Sequence, residues 1–279
     1  MNKSILSLAA ALTLFIGVQT SDAQVKLPPA SSTQTVTQGL GIKTVTLTYQ
    51  RPNANGRVVF GELVPYGEVW RTGANNIPNL TFEEEVSIQG HAVPAGTYGL
   101  FTIPNKDKWT VILSKNPKQW GSYQYKQEED LLRFDVIPKK LNYKVETFTI
   151  AFENVTPKSS DVTIAWENTQ IAFTITVDQS AEIMAGIEEA MKGEKKPYFQ
   201  AAQYYFNNGL DIEKAANWIK LADQGASAPH IKYWKARILA KAGQKEEARK
   251  AAQEGVDLAT KNNNSEYIKL NSQVLKSIK

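Results

Sequence analysis

The chain has 279 residues, contains no cysteine and carries a formal net charge of +4 at pH 7. The absence of cysteine excludes disulfides, thiolate nucleophiles and cysteine metal ligands, so stability has to come from packed cores. The excess positive charge lies in residues 181–279, where 16 Lys and Arg face 12 Asp and Glu. Because these charges are spread along helix-forming sequence rather than clustered, we expect no nucleic-acid binding.

The first residues have the pattern of a secretory signal peptide. Lys3 is followed by an apolar run from Ile5 to Val18 and by small residues before Gln24. The run is shorter than the roughly 20 apolar residues that span a bilayer as a helix. We therefore expect residues 1–23 to be removed, leaving an exported protein, periplasmic or secreted, with no membrane span. An uncleaved anchor is the alternative.

Apolar and polar residues alternate with a period of two between Thr35 and Val177. Val45, Leu47 and Tyr49, for example, are separated by threonines. Such segments, rich in Thr, Val, Ile and aromatic residues, are typical of half-buried antiparallel strands. Roughly eight to ten of them fit between the Gly, Pro and Asn turns, which predicts an antiparallel β-sandwich domain over residues 24–180.

Residues 49–76 hold three of the six arginines, together with a tryptophan and several amides. A plain strand does not require this composition, so the segment indicates either an internal polar network or a ligand site. In the first interpretation the arginines pair with Glu62 and Glu68, and Trp70 fills the core. In the second, arginine and amide donors hold a carboxylate or hydroxyl-rich ligand against an aromatic wall. The candidate ligand-binding residues are Arg51, Arg57, Trp70, Arg71, Thr72, Asn75 and Asn76.

A long aromatic-rich loop is predicted over residues 116–130. Long loops of this kind are often binding loops, although they also cover sheet faces. The aromatic residues Trp109, Trp120, Tyr123 and Tyr125 add to the wall only if folding brings their segments to the same end of the sandwich.

Helical periodicity begins after Ser180, and residues at a spacing of 33 repeat in character. Examples are Phe206 with Leu239 and Ala215 with Ala248. Small residues at these positions allow two antiparallel helices to approach closely, as in tetratricopeptide repeats. We predict a tetratricopeptide-like α-helical domain over residues 181–279, with two hairpins and capping helices at 181–193 and 265–278. The match to the repeat pattern is good in the second unit and partial in the first, where Gln203 occupies the small-residue position that Ala236 fills in the second.

Four motifs in one order carry a resemblance to a known family. They are Tyr-Gln-Arg-Pro at 49–52, Gly-Arg-Val-Val-Phe-Gly at 56–61, Trp-Arg-Thr-Gly-Ala-Asn at 70–75 and Val-Pro-Ala-Gly-Thr-Tyr at 93–98. Residues 26–177 thereby resemble the family called domain of unknown function 2911. The resemblance implies an exported bacterial protein, often with a helical repeat after this domain, and it brings no established reaction.

Most familiar catalytic classes lack their motifs in this sequence. The two histidines, His91 and His230, fall in different regions, and no P-loop, dinucleotide, zinc-protease or Gly-x-Ser-x-Gly motif occurs. We therefore expect no cofactor and no metal site. A hydrolase acting on glycans or cell-wall material remains an alternative, since it needs only two carboxylates. Its candidates are Glu62, Glu68, Glu83 and Glu85.

Taken together, the sequence favours a non-catalytic binding module. The sandwich is expected to hold a saccharide or small carboxylate, and the helical region to contact a protein partner. A third alternative is a protein-assembly scaffold whose helical repeats alone recruit a partner.

Overall fold

The computed structural model describes residues 27–278, so the predicted signal peptide lies outside the described residues. The chain divides into two compact units, and the boundary lies between Val177 and Asp178. The first contains two antiparallel sheets and the second contains α-helices, which confirms the predicted fold class of a β-sandwich followed by an all-α region. Within the described range, no helix combines the length and apolar character needed to cross a membrane.

Ten strands lie in the part of the first unit that the structure describes. They are β1 (Ser32–Leu40), β2 (Lys43–Arg51), β3 (Asn79–Phe82), β4 (Val86–Ile88), β5 (His91–Val93), β6 (Gly96–Ile103), β7 (Trp109–Ser114), β8 (Asp130–Val136), β9 (Lys139–Glu153) and β10 (Ser159–Thr176). One sheet has the order β1-β2-β3-β6-β7-β8 and the other the order β5-β4-β10-β9. A short 3₁₀ helix, Gln127–Glu129, precedes β8.

The predicted alternation of side chains is clearest in β2. Leu47 and Tyr49 are buried in the core that the two sheets share, together with Phe148 and Ile150 of β9. On the opposite face, Thr48 forms a hydroxyl–hydroxyl hydrogen bond of 3.0 Å with a threonine of β1. Burying one apolar face while the other stays polar fixes the register of the strand.

Two of the carboxylates considered for a hydrolase, Glu83 and Glu85, lie outside the strands, because β3 ends at Phe82 and β4 begins at Val86. Together with Glu84 they form the connection between these strands, where Glu83 accepts a 2.8 Å hydrogen bond from the backbone N–H of Thr44. A bend that places acidic side chains in solvent separates two short strands belonging to different sheets.

The second unit consists of six helices within the described residues. They are α1 (Ser180–Ala190), α2 (Tyr198–Asn207), α3 (Ile212–Ala222), α4 (Pro229–Lys241), α5 (Lys245–Lys261) and α6 (Ser265–Ser277). Their packed faces carry buried small residues, including Ala202, Ala215, Ala236, Ala248 and Ala252. Small side chains at these contacts let neighbouring helices approach closely.

The internal repeat has a different register in its first helix from the one predicted. Besides Ala201, α2 buries Ala202 and Tyr205, which precede the buried Ala236 and Leu239 of α4 by 34 residues rather than 33. Phe206 is only partly buried, so its pairing with Leu239 is wrong. The turn between α2 and α3 is one residue longer than that between α4 and α5, which restores the spacing of 33 from Ala215 onward.

Candidate functional site

An open cleft of about 600 Å³ lies in the β-unit. Most of its lining comes from the long connection between β2 and β3. Four of the seven predicted site residues line it: Arg57, Trp70, Arg71 and Asn75. We call this the arginine cleft. The other three, Arg51, Thr72 and Asn76, are not among its lining residues.

The segment that carries Arg71 is fastened on both sides. Trp70 exchanges two backbone hydrogen bonds with Thr102 of β6, at 2.7 and 3.1 Å, and Asn75 accepts one from Gly121 at 2.9 Å. The side-chain amide of Gln50, turned with its nitrogen toward the segment, donates to the carbonyls of Ala74 (3.1 Å) and Asn76 (3.0 Å). These contacts to three separate parts of the unit hold the wall of the cleft in a defined position.

Thr72 has an unusual backbone conformation in this segment. Its φ is +52°, a region that β-branched residues rarely adopt, and its side chain is fully buried. Its hydroxyl lies 2.9 Å from that of Thr102. Gly73 follows with φ +143°, where a Cβ would lie 3.1 Å from the carbonyl oxygen of Gln50. Thr72 therefore shapes the wall rather than contacting a ligand.

Arg71 keeps most of its hydrogen-bonding capacity for the cleft. Its Nε donates to the carbonyl oxygen of Gly73 at 3.3 Å. Its two terminal nitrogens find no acceptor among residues 27–278, and it pairs with no carboxylate in that range. A guanidinium fork with two open donor nitrogens suits planar, bidentate recognition of a carboxylate.

Arg51 has a structural role between the two sheets. Its Nε donates to the carbonyl oxygen of Phe148 at 3.2 Å and its Nη2 to the hydroxyl of Thr149 at 3.0 Å. These bonds join the end of β2 to β9, so its guanidinium is already engaged.

Arg57 supports its own turn. Its Nε and Nη2 donate to the carbonyl oxygens of Ala54 (2.9 Å) and Asn53 (2.7 Å), which secures the residues that form one rim of the cleft. Neither Arg51, Arg57 nor Arg71 forms an ion pair with Glu62 or Glu68 within the described chain. The interpretation in which these glutamates neutralise the arginines is therefore wrong.

Trp70 is both part of the core and a surface of the cleft. Its ring stacks on that of Trp166, with centroids 6.0 Å apart and planes 12° apart. Phe60, Phe148 and Trp109 meet it edge-on at 5.9, 5.4 and 6.4 Å. This aromatic cluster gives the cleft a rigid apolar floor.

Tyr123 brings the predicted aromatic loop to the cleft. It lines the cleft, its side chain is 78% exposed, and its ring stacks with the exposed Trp120 at a centroid distance of 6.0 Å. Two exposed stacked rings at a cleft rim form a flat surface of the kind that saccharide rings pack against. Tyr125 packs on Phe101 instead.

The carboxylates considered as an acid–base pair do not meet in the cleft. Of the four candidates only Glu68 lines it, beside two arginines, so the lining carries a net positive charge. No group of three or more His, Asp or Glu side chains among residues 27–278 is placed to hold a metal ion.

Several residues of the cleft were not identified from the sequence. Trp166 lines it from β10, and Asn53 and Asn55 line it from the turn after β2. Asn55 has φ +51° and precedes a glycine, and an Asn-Gly pair signals a tight turn. Trp166 gave no local signal, because its strand is far from the arginine motif in sequence.

The chain belongs to the family described as "Protein of unknown function (DUF2911)", whose profile matches residues 31–175. The match runs from just before β1 to one residue before the end of β10, and it includes every residue of the arginine cleft from Ser31 onward. No curated protein and no solved structure matches the chain.

Proposed function

We propose that this protein is a non-catalytic binding protein whose β-unit holds a small acidic or hydroxyl-rich ligand of the saccharide class in the arginine cleft. The observation that carries the proposal is Arg71, whose terminal nitrogens have no acceptor in the described chain while the side chain lines an open cleft.

The surroundings of Arg71 support a ligand of the saccharide class. The exposed Tyr123 offers a ring face, and Asn75 adds a side-chain amide to the lining. A sugar ring packs its apolar C–H face on an aromatic ring while its hydroxyls and carboxylate take hydrogen bonds from donors. An acidic sugar satisfies both the aromatic surface and the positive charge.

The helical unit is proposed to be tetratricopeptide-like and to contact a protein partner. Support comes from paired helices with buried small residues at a spacing near 33, which also occur in tetratricopeptide arrays. The sequence pattern of residues 1–23 supports export to the periplasm or beyond.

Titration calorimetry of residues 24–279 with glucuronate, galacturonate and neutral glucose tests the cleft. We expect the acidic sugars to bind more tightly than glucose, and Arg71→Gln to weaken them at least tenfold. Arg71→Lys should recover only part of the affinity, because an ammonium group keeps the charge but loses the planar fork.

A matched pair of variants separates the aromatic contribution. Tyr123→Leu should weaken binding, whereas Tyr143→Leu, which removes another exposed tyrosine, should not. Equal affinity in the wild type and Arg71→Gln would remove the cleft from consideration. Turnover of a glycan would favour the hydrolase alternative, and capture of a partner by residues 181–279 alone would favour the scaffold.

A further inference from the structure

A second pocket, of about 310 Å³, opens in the β-unit between the β6–β7 turn and the start of β9. It shares no lining residue with the arginine cleft. Three lysines line it: Lys106 from the turn, and Lys139 and Lys140 from the first two residues of β9. We call it the lysine pocket.

The positive charge of the lysine pocket is not neutralised within the described chain. None of the three lysines forms an ion pair there, and no carboxylate is among the lining residues. The nearest acidic residue along β10, Glu167, accepts a 3.1 Å hydrogen bond from the backbone N–H of Val59 and is not part of the lining. Three like charges on the lining of one pocket favour the binding of an anion there.

The floor of the pocket is rigid and aromatic. Trp109 and Phe60 pack edge to face at 4.8 Å and are buried in the core. The ring of Tyr66 packs against Gly61, which has a φ of +96°. A Cβ at Gly61 would lie 2.8 Å from that ring, so the glycine leaves room for it. The three exposed lysines therefore border a pocket whose aromatic floor has a fixed shape.

We propose that the lysine pocket binds a phosphate or sulfate group carried by a small ligand. Lysine is a compact point charge that binds phosphate or sulfate oxygens without requiring a fixed planar geometry. An anion with two charges and several acceptor oxygens takes hydrogen bonds from lysine ammonium groups at the rim, and Asn105 adds an amide group beside them. This site is independent of the function proposed for the arginine cleft.

Calorimetry of residues 24–279 with inorganic phosphate, inorganic sulfate, glucose 6-phosphate and glucose 6-sulfate tests the proposal, with glucose as the uncharged probe. We expect at least one phosphate- or sulfate-bearing probe to bind, and to bind more tightly than glucose. The double change Lys139→Gln/Lys140→Gln should weaken that binding at least tenfold. Comparison of the inorganic ions with the sugar esters shows whether the ligand is the free anion or an ester.

Two controls distinguish a site from general charge attraction. Lys118→Gln/Lys158→Gln removes the same charge from exposed lysines of this unit outside the pocket, and it should leave affinity unchanged. Arg71→Gln should also leave it unchanged, which separates this site from the arginine cleft. The proposal is overturned by absence of binding for all four anions, by equal losses in the two double variants, or by loss in Arg71→Gln. Melting temperatures show that each variant is folded.

Discussion

Thr72 concentrates the conformational strain of the arginine cleft in one residue. A β-branched residue with positive φ costs roughly 1–2 kcal/mol, because its Cβ approaches the carbonyl oxygen that follows. The buried hydrogen bond to Thr102 offsets part of that cost. The strain is retained at the residue next to Arg71, which is where a fixed side-chain direction benefits a ligand site.

The first prediction follows from this balance. Thr72→Ala loses the hydrogen bond and keeps the strained Cβ, so we expect destabilisation of about 1–3 kcal/mol. Thr72→Gly loses the same bond but releases the strain, and should be more stable than the alanine variant by about 1 kcal/mol. Urea unfolding of both variants measures which of them has the larger free energy of unfolding. An alanine variant as stable as the glycine variant, or more so, contradicts a strained Thr72.

At the scale of single residues, the sequence indicated which segment forms the cleft but not which role each arginine has. The unusual density of arginine, tryptophan and amides between residues 49 and 76 marked the segment that forms the cleft. Which arginine stays available depends on partners remote in sequence. Arg51 bonds to residues 97 and 98 positions away, whereas among residues 27–278 Arg71 finds only Gly73. No local pattern encodes that difference.

The contact between α5 and α6 shows how one small residue defines the packing of two helices. A Cβ at Gly255 of α5 would lie 2.1 Å from the side-chain oxygen of Asn271, which is fully buried in α6. The amide nitrogen of Asn271 donates to the carbonyl oxygens of Pro229 (3.3 Å) and Tyr267 (2.8 Å). The glycine therefore makes room for an amide that ties α6 to the start of α4.

The second prediction reverses a normal helix preference. Alanine usually stabilises an exposed helix position relative to glycine by roughly 0.5–1 kcal/mol. Gly186→Ala in α1 should show this gain, because no described atom lies within 4 Å of the added Cβ. Gly255→Ala should instead cost about 1–3 kcal/mol, since Asn271 has to move and lose its bonds. Helical circular dichroism during thermal unfolding compares the two. A stabilised Gly255→Ala variant would show that Asn271 relocates freely.

The helical elements were predictable because their apolar period is strong, whereas the register was not. Counting at a fixed spacing of 33 paired Phe206 with Leu239, but one extra residue in the α2–α3 turn shifts the buried face to Tyr205. A turn length changes no periodicity inside a helix, so it leaves no signal in the pattern that identifies the helix.

At the scale of the whole molecule, the two-layer β-unit and the helical unit follow from the change of hydrophobic period near Ser180. The order of strands does not, because β3 pairs with β6 and β4 pairs with β10. These non-consecutive pairings depend on which apolar faces meet in the shared core. They also bring the loop with Tyr123 beside Arg71, a proximity that no short sequence pattern contains.

Both units contain groups whose titration links stability to alkaline pH. In the β-unit, burial raises the pKa of Tyr49, against the opposing effects of the N–H of Ile150 and of Arg51. In the helical unit, burial lowers the pKa of Lys232, but its hydrogen bonds with Asp223 and Glu254 outweigh this and raise it overall. A raised pKa in the folded state gives stability that is present below the unfolded pKa and is lost as pH rises through the folded value.

The third prediction therefore concerns the alkaline limit of the fold. The Tyr49 hydroxyl donates to Gln34 at 2.8 Å and accepts from the N–H of Ile150 at 3.0 Å, so Tyr49→Phe should cost about 1–3 kcal/mol near pH 8. Unfolded tyrosine ionises near pH 10, before the buried one does, and the wild type then loses stability that the phenylalanine variant does not. The difference in free energy of unfolding between the wild type and Tyr49→Phe should therefore narrow from pH 8 to pH 11. Urea unfolding across this range measures the difference, with Tyr143→Phe as an exposed control. A difference that stays constant contradicts a raised pKa for Tyr49.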